Sequence, residues 1–377
     1  MKVEFYRHQL GEANLKRFAQ VMSTIFLTTG DEVALFEEKF AEFLGEKYVV
    51  GLTSATAGLQ LALLALGVGR GDEVITTPMT FVATPLSVMH ANATPVFVDV
   101  EPDTGNLDVG LIEAAITPRT KAIMPVHLYG QMVDMVGLKK LAQKHNLFLV
   151  EDAAHCLEGR RDNVRVGQLS EAACYSFYAT KSITCGEGGA ISTSQEHLRV
   201  MFQKLRLHGM STDALHRYTK LYRHYDVDVH GWKYNMYNLQ AALLIDQIDE
   251  IEPRCQQRGR IAEYYRASLA GCPGLELPTF RPDIKQGYHL FTIWVDPDKR
   301  DHILWALQDQ GVGVAVNYRA CHLFTLFRQQ FGHKEGDFPN AERIGSRTIS
   351  LPLYASLRDE EIEYVAATVK RVVNSQG

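Results

Sequence analysis

Between residues 33 and 152, short and nearly continuous apolar runs alternate with segments whose apolar residues recur three and four positions apart. "VALFEEKFAEFLG" places Val33, Phe36, Phe40, Phe43 and Leu44 at helical spacing. Gly30-Asp31 reads as the turn that opens this helix, and Gly45 as the C-cap that closes it. "YVVGLTS", "DEVITTP", "TPVFVDV", "KAIMPVHLYG" and "LFLVEDAA" then read as strands. "ATAGLQLALLALG", "FVATPLSVMHAN", "VGLIEAAIT" and "MVGLKKLAQKHN" read as the helices between them. Buried strands alternating with covering helices predict an α/β fold, a mostly parallel sheet with helices on both faces. "AACYSFYA" and "GGAISTS" add further strands lining the same pocket.

After about residue 190 the pattern changes. "QEHLRVMFQKLRLHG" is a helix, and a polar, aromatic stretch leads to Trp232. The run from Tyr237 to Gly271 is helical, with Pro253 interrupting it. Strand "YHLFTIWVD", helix "DHILWALQDQG", strand "VGVAVNYR" and helix "DEEIEYVAATVKRVV" make a second α/β unit. The expected division is a large domain over 1–250 and a smaller C-terminal domain over 251–377.

Composition narrows the function classes. The 377 residues are 46% hydrophobic and 22% charged, as in soluble globular proteins, and this length suits a large domain with a smaller one. A net charge of −5 offers no basic excess for nucleic acid. The longest apolar run, Gly58 to Gly69, falls well short of the roughly 20 residues that span a bilayer. "MKVEFYRHQL" has no apolar signal core, and six scattered cysteines lack metal-like spacing. The expectation is a cytoplasmic protein with free thiols, no metal, no membrane partner and no nucleic-acid partner.

Candidate chemistry collects at strand ends, where ligands of open α/β sheets bind. Asp152 ends "LFLVED" and is either a helix N-cap or functional. "TSATAGL" joins a strand to a helix; Ser54, Thr56 and the first amides make an anion cradle, or Ser54 is simply an N-cap. Ser176 ends another strand, and Lys181 follows in "SFYATKSITCGEGGA". The glycine runs there and in "GVGRG" lack both nucleotide-loop patterns and read as turns. A carboxylate, a phosphate cradle, a serine and a lysine at neighbouring strand ends are what pyridoxal 5'-phosphate (PLP) requires. The lysine forms a Schiff base with its aldehyde, the carboxylate keeps its ring nitrogen protonated, and hydroxyls and amides hold the phosphate.

The ordered motifs "TSATAGLQLALLAL", "GDEVITTPMTFVAT", "PVFVDVEPDTGNLD", "TKAIMPVHLYGQMVDM", "VEDAAHCLEG", "YSFYATKSITCGEGGAIST" and "KYNMYNLQAALL" resemble the DegT/DnrJ/EryC1/StrS family of PLP-dependent sugar-nucleotide aminotransferases along nearly the whole chain. Within it, "KSITCGEGG" and "YHLFTIWVD" look closest to the enzymes that make UDP-4-amino-4-deoxy-arabinose. The resemblance implies the fold type I architecture of PLP aminotransferases and a homodimer with shared active sites. It implies that Lys181 carries PLP and moves the proton, Asp152 pairs with the ring nitrogen, and Ser176, Thr56 and the Ala57 N–H bind the phosphate. Phe81 would stack on the ring and His155 pack nearby, while Asn235 would reach the phosphate from the partner subunit. By default Phe81 reads as core, His155 as a structural histidine and Asn235 as a turn residue or cap. Thr29, Asn317 and His322 are the candidate substrate contacts, although His322 also reads as a loop histidine. Ala55 stands where the family usually has glycine, and Asn317 where many relatives have histidine. The implied reaction moves an amino group from L-glutamate to a nucleotide-linked keto-sugar, with C4 favoured over C3. An acyclic keto-sugar acid as acceptor, and a non-catalytic relative of the same fold, are the other readings. Same-fold sugar dehydratases replace the lysine with histidine, so Lys181 argues against that chemistry.

Overall fold

A computed structural model describes residues 1–211 and 224–375. Its central sheet holds β1 (Tyr48–Leu52), β2 (Glu73–Thr76), β3 (Thr94–Phe97), β4 (Thr120–Ile123), β5 (Phe148–Asp152), β6 (Ala172–Ser176) and β7 (Gly189–Thr193). The spatial order is β1-β7-β6-β5-β4-β2-β3. Strands β3, β2, β4, β5 and β6 are parallel, whereas β7 runs antiparallel to both β1 and β6.

Alternate residues of each strand serve opposite faces, which is why the strands read as continuous apolar runs. Val49, Ile75, Ile123, Leu149 and Ala173 join Phe36 and Phe40 of helix α1 (Asp31–Leu44) in one core cluster. Their neighbours Val50, Val74, Ala122, Val150 and Cys174 join Leu59, Leu61 and Phe202 in the other. Helix α1 begins after Gly30 and ends at Gly45, whose φ of 71° suits a residue without a Cβ. Helix α2 (Ala55–Ala65) is buried nearly all round, as a helix apolar on every face should be.

Helix α3 (Ile251–Leu269) contributes to two core clusters. Ile251 packs in the first cluster, while Ile261, Tyr265 and Leu269 pack with Phe291, Ile293, Val365 and Val369 in another. That second cluster lies between α3, helix α4 (Asp359–Ser375) and a three-stranded sheet of β8 (Leu275–Glu276), β9 (Phe291–Val295) and β10 (Thr348–Leu351). Val3, from the other end of the chain, packs into it and bridges to Val312.

Two local expectations change. Pro253 does not interrupt its helix; it sits in the first turn of α3, where its missing N–H has no partner to lose. "VGVAVNYR" is not a strand: Val312 and Ala315 make isolated bridges only, and the chain then turns aside so that Asn317 and Tyr318 line a cavity. No described helix is long and apolar enough to cross a membrane.

The first residue of β7 seats α2 on the sheet. A Cβ at Gly189 would overlap the carbonyl carbon of Ser54 and the nitrogen of Ala55, both backbone atoms. Gly189→Ala is therefore expected to cost about 1–3 kcal/mol through overpacking. A melting temperature equal to that of the native protein would show that this contact does not hold α2.

Candidate active site

The carboxyl ends of β5 and β6, the N-terminus of α2 and the loop after β6 surround one cavity of about 480 Å³. Asp152, Lys181, Ser176, Thr56, Phe81, His155 and Asn317 all line it. Seven of the eleven residues singled out from the sequence thus converge on one space.

Asp152 is the last residue of β5 and is buried. Its Oδ2 accepts a hydrogen bond from Thr84 Oγ1 at 2.7 Å and its Oδ1 accepts one from the Ala154 amide at 3.1 Å. Burial raises its pKa above the usual aspartate range, against those two donors and the positive charge of Lys181. A cationic group against this carboxylate would reverse that shift.

Lys181 stands in the loop between β6 and β7, with its amide bonded to the Tyr178 carbonyl at 2.9 Å. Its Nζ is 3.2 Å from His289 Nε2. The amine keeps access to the cavity, but loss of solvent lowers its pKa to about 8, with Asp152 opposing the change. At neutral pH this enlarges the fraction of unprotonated, nucleophilic amine by about two orders of magnitude relative to a solvated lysine.

An aromatic wall completes the cavity. The His155 and His289 rings lie 4.3 Å apart, and Tyr318 lies 5.8 Å from His155 and 5.9 Å from Phe81. Burial and the nearby Lys181 hold both histidines well below their usual pKa, so they are neutral. The Tyr318 hydroxyl, whose pKa burial raises, pairs with His155 Nε2 at 3.0 Å. The other ring nitrogen of His155, Nδ1, is buried with no partner among the described residues. Such an orphaned polar atom calls for a partner from outside the chain. Phe81 is 56% exposed, which sets aside its reading as core.

The cavity residues fit PLP. A buried carboxylate, an amine of lowered pKa and a serine share the space with the first turn of α2, whose amides at Ala55 and Thr56 precede the helix's own bonding ladder. Ser176, at the end of β6, carries its hydroxyl into the same lining.

Four residues fall elsewhere. The Ala57 amide is taken by the Ser54 hydroxyl at 3.1 Å, so Ser54 is a true N-cap and Ala57 is not a free donor. His322 is fully buried; its Nε2 meets Glu342 Oε1 at 3.0 Å and its ring packs 4.8 Å from Phe338. The loop-histidine reading therefore replaces its assignment as a substrate contact. Thr29 and Asn235 lie together, with Asn235 Nδ2 donating to Thr29 Oγ1 at 2.7 Å. Asn235 lines a separate open cavity with Leu27, Thr28 and Tyr237, not the one around Lys181.

Sequence reasoning missed His289, Tyr318, Thr84 and Phe5, all of which line the main cavity. His289 lay inside a quoted motif, "YHLFTIWVD", and Tyr318 directly follows Asn317. Phe5 carried no signal at all.

Comparisons with known proteins bear on the family and the fold. The profile of the DegT/DnrJ/EryC1/StrS aminotransferase family matches residues 8–370. The spore coat polysaccharide biosynthesis protein SpsC of Bacillus subtilis is 40% identical over 370 residues, covering 97% of this chain and 95% of SpsC. Spr1654 of Streptococcus pneumoniae, solved in its PMP form, superposes with a TM-score of 0.94 at 29% identity, covering 99% of this chain and 100% of that one; it has also been solved in a PLP form. PseC of Helicobacter pylori, an aminotransferase in pseudoaminic acid biosynthesis, superposes with a TM-score of 0.92 at 30% identity over 100% of both chains.

Proposed function

Because the chain belongs to the DegT/DnrJ/EryC1/StrS aminotransferase family and is a PLP-dependent sugar aminotransferase, we propose that it transfers the amino group of L-glutamate to C4 of a nucleotide-linked keto-sugar. The observation that carries the residue assignments is the convergence of Lys181, Asp152, Ser176 and Thr56 on one cavity. When bound, PLP supplies the electron sink that allows the donor's α-carbon to lose a proton.

The chain's own groups do the rest. Lys181 would hold the cofactor and, with its amine free, would serve as the base that moves the donor's α-proton. Its lowered pKa suits both parts. Asp152 would supply negative charge to the ring nitrogen, and Thr84 fixes that carboxylate through Oδ2. Ser176, Thr56 and the first amides of α2 would hold the phosphate, and Phe81 and His155 would lie against the ring. Tyr318, Phe5 and Leu290 add aromatic and apolar surface to the cavity lining. The reaction has two halves, with glutamate giving its amine first and the keto-sugar receiving it second.

The sugar acceptor follows from the family and from SpsC and PseC, which serve polysaccharide and pseudoaminic acid biosynthesis. The C4 preference rests on the resemblance of "KSITCGEGG" and "YHLFTIWVD" to 4-amino-sugar enzymes. We also assign a cytoplasmic homodimer, in which Asn235 and Thr29 serve the neighbouring protomer's site. The exposed Met22, Ile25, Leu27 and Tyr237 around them suit an interface.

The test is the visible spectrum of the purified holoenzyme before and after L-glutamate. A yellow band that bleaches with glutamate and returns with a UDP-linked 4-keto-sugar is the expected result. Failure to bleach would remove glutamate as donor, and return only with a 3-keto-sugar would move the position of amination.

A further inference from the structure

His289 is the only hydrogen-bond partner that the described residues give the Lys181 amine, at 3.2 Å through Nε2. The two residues come from units 108 positions apart in sequence, so their contact has to be built. The element that builds it is the buried Arg258, in the part of α3 between the two core clusters. Its Nη2 reaches Ser182 Oγ at 3.0 Å, next to Lys181, and the Gly287 carbonyl at 2.9 Å. Its Nε donates to the Tyr288 carbonyl at 2.9 Å, and Glu158 balances its charge at 2.7 Å. One guanidinium therefore holds both the loop carrying Lys181 and the segment carrying His289.

The segment is constrained further. Tyr288, immediately before His289, has a φ of 47°, a conformation that non-glycine residues seldom adopt unless their surroundings impose it. The Gly287 amide bonds to the Gly130 carbonyl at 2.8 Å, and the His289 amide to the Tyr129 carbonyl at 3.0 Å. The His155 ring also lies against that of His289, with centroids 4.3 Å apart and the planes tilted by 33°, so the His289 imidazole has little room to turn.

We propose that His289 is a positioning residue for Lys181: its neutral imidazole accepts a hydrogen bond from the lysine ammonium through Nε2, holding the amine in place and stabilising it while it carries a proton. This deepens the reading of Lys181 given above and rests on it. The charged and titratable groups around the pair are Asp152 on β5, His155 after it and Arg258 on α3, itself paired with Glu158. Asp152 favours the ammonium, whereas burial opposes it. A neutral acceptor at 3.2 Å adds to the side of Asp152 without adding a charge.

Three variants test the assignment. In His289→Gln the side-chain oxygen can reach the position of Nε2; in His289→Asn the amide is one carbon too short; in His289→Leu there is no acceptor. The first readout is the pH dependence of Lys181 acylation in the PMP form of the holoenzyme, where the lysine is not linked to the cofactor. Mass spectrometry of the Lys181 peptide gives the midpoint. Losing one hydrogen bond to a charged donor should lower it by about one pH unit in the Leu and Asn variants. The Gln variant should keep the native midpoint. The second readout is steady-state kinetics: kcat should fall about tenfold or more in Leu and Asn, with both KM values nearly unchanged, and recover in Gln.

A midpoint that does not move in the Leu and Asn variants would overturn the proposal, as would a Gln variant as impaired as Leu. If His289→Leu does not fold, the Asn and Gln pair decides alone. The acylation midpoint does not depend on turnover. Activity retained by Lys181→Ala would therefore remove the reading of the site, while an unmoved midpoint with Lys181→Ala inactive would remove only the role of His289.

Discussion

Lys181→Ala is expected to reduce amino transfer by at least about 10³-fold, because it removes both the covalent anchor of the cofactor and the group that moves the α-proton. The yellow band should be absent or shifted, since no lysine amine remains to react with the cofactor aldehyde. The fold should survive. Lysine binds its proton less tightly here than in the unfolded chain, with a pKa of about 8 against an ordinary 10.5. The unfolded chain therefore binds more protons between those values, and native stability rises with pH across that window. Below about pH 8 the native protein carries a poorly solvated ammonium, and the alanine variant does not. Without cofactor, the variant should melt no lower than the native protein at pH 7. Loss of activity with an undiminished melting temperature separates chemistry from folding, and added methylamine should restore part of the rate. A variant that keeps amino transfer would disprove the assignment of Lys181.

Asp152→Asn should have the second largest effect. The asparagine oxygen can still accept from the Ala154 amide or the Thr84 hydroxyl, so the end of β5 keeps its geometry. What disappears is the negative charge. The cofactor's ring nitrogen then loses the partner that keeps it protonated, and the electron sink weakens. A fall in rate of about 10² to 10⁴-fold is expected, comparable with the loss of an acid–base group. The cofactor should remain attached through Lys181, so the visible band should persist, and L-glutamate should bleach it slowly. Asp152→Ala is a harsher change, because it removes the acceptor of the Ala154 amide at a cost of about 1–3 kcal/mol and leaves Thr84 only the Phe81 carbonyl and Thr80 as partners. An Asn variant with native rates would mean that Asp152 only caps the turn after β5.

How much of this was legible in sequence differs by residue. Asp152, Ser176 and Lys181 could be found because a strand's carboxyl end is a local property: an apolar run stops, and a polar residue stands at its edge. Ser54 was legible as an N-cap for the same reason, since a cap bonds only three residues ahead. The sequence reading nevertheless gave the Ala57 N–H to the phosphate, and only the structure showed that the Ser54 hydroxyl accepts it. His322 could not be decided locally. Its partner, Glu342, lies 20 residues on, and the helix that carries Glu342 turns the histidine away from the cavity.

The alternation of apolar strands and helices by itself determined a mostly parallel α/β sheet, because side-chain periodicity decides which faces must be buried. It also determined which strand ends carry a carboxylate, a serine and a lysine. Only the tertiary structure decided that β7 runs antiparallel, that "VGVAVNYR" leaves the sheet, and that His289 and Tyr318 come up to Lys181 and His155. Those last contacts join residues 108 and 163 positions apart. They depend on how the C-terminal unit docks through α3 and Arg258, a matter of packing between elements that no local periodicity encodes.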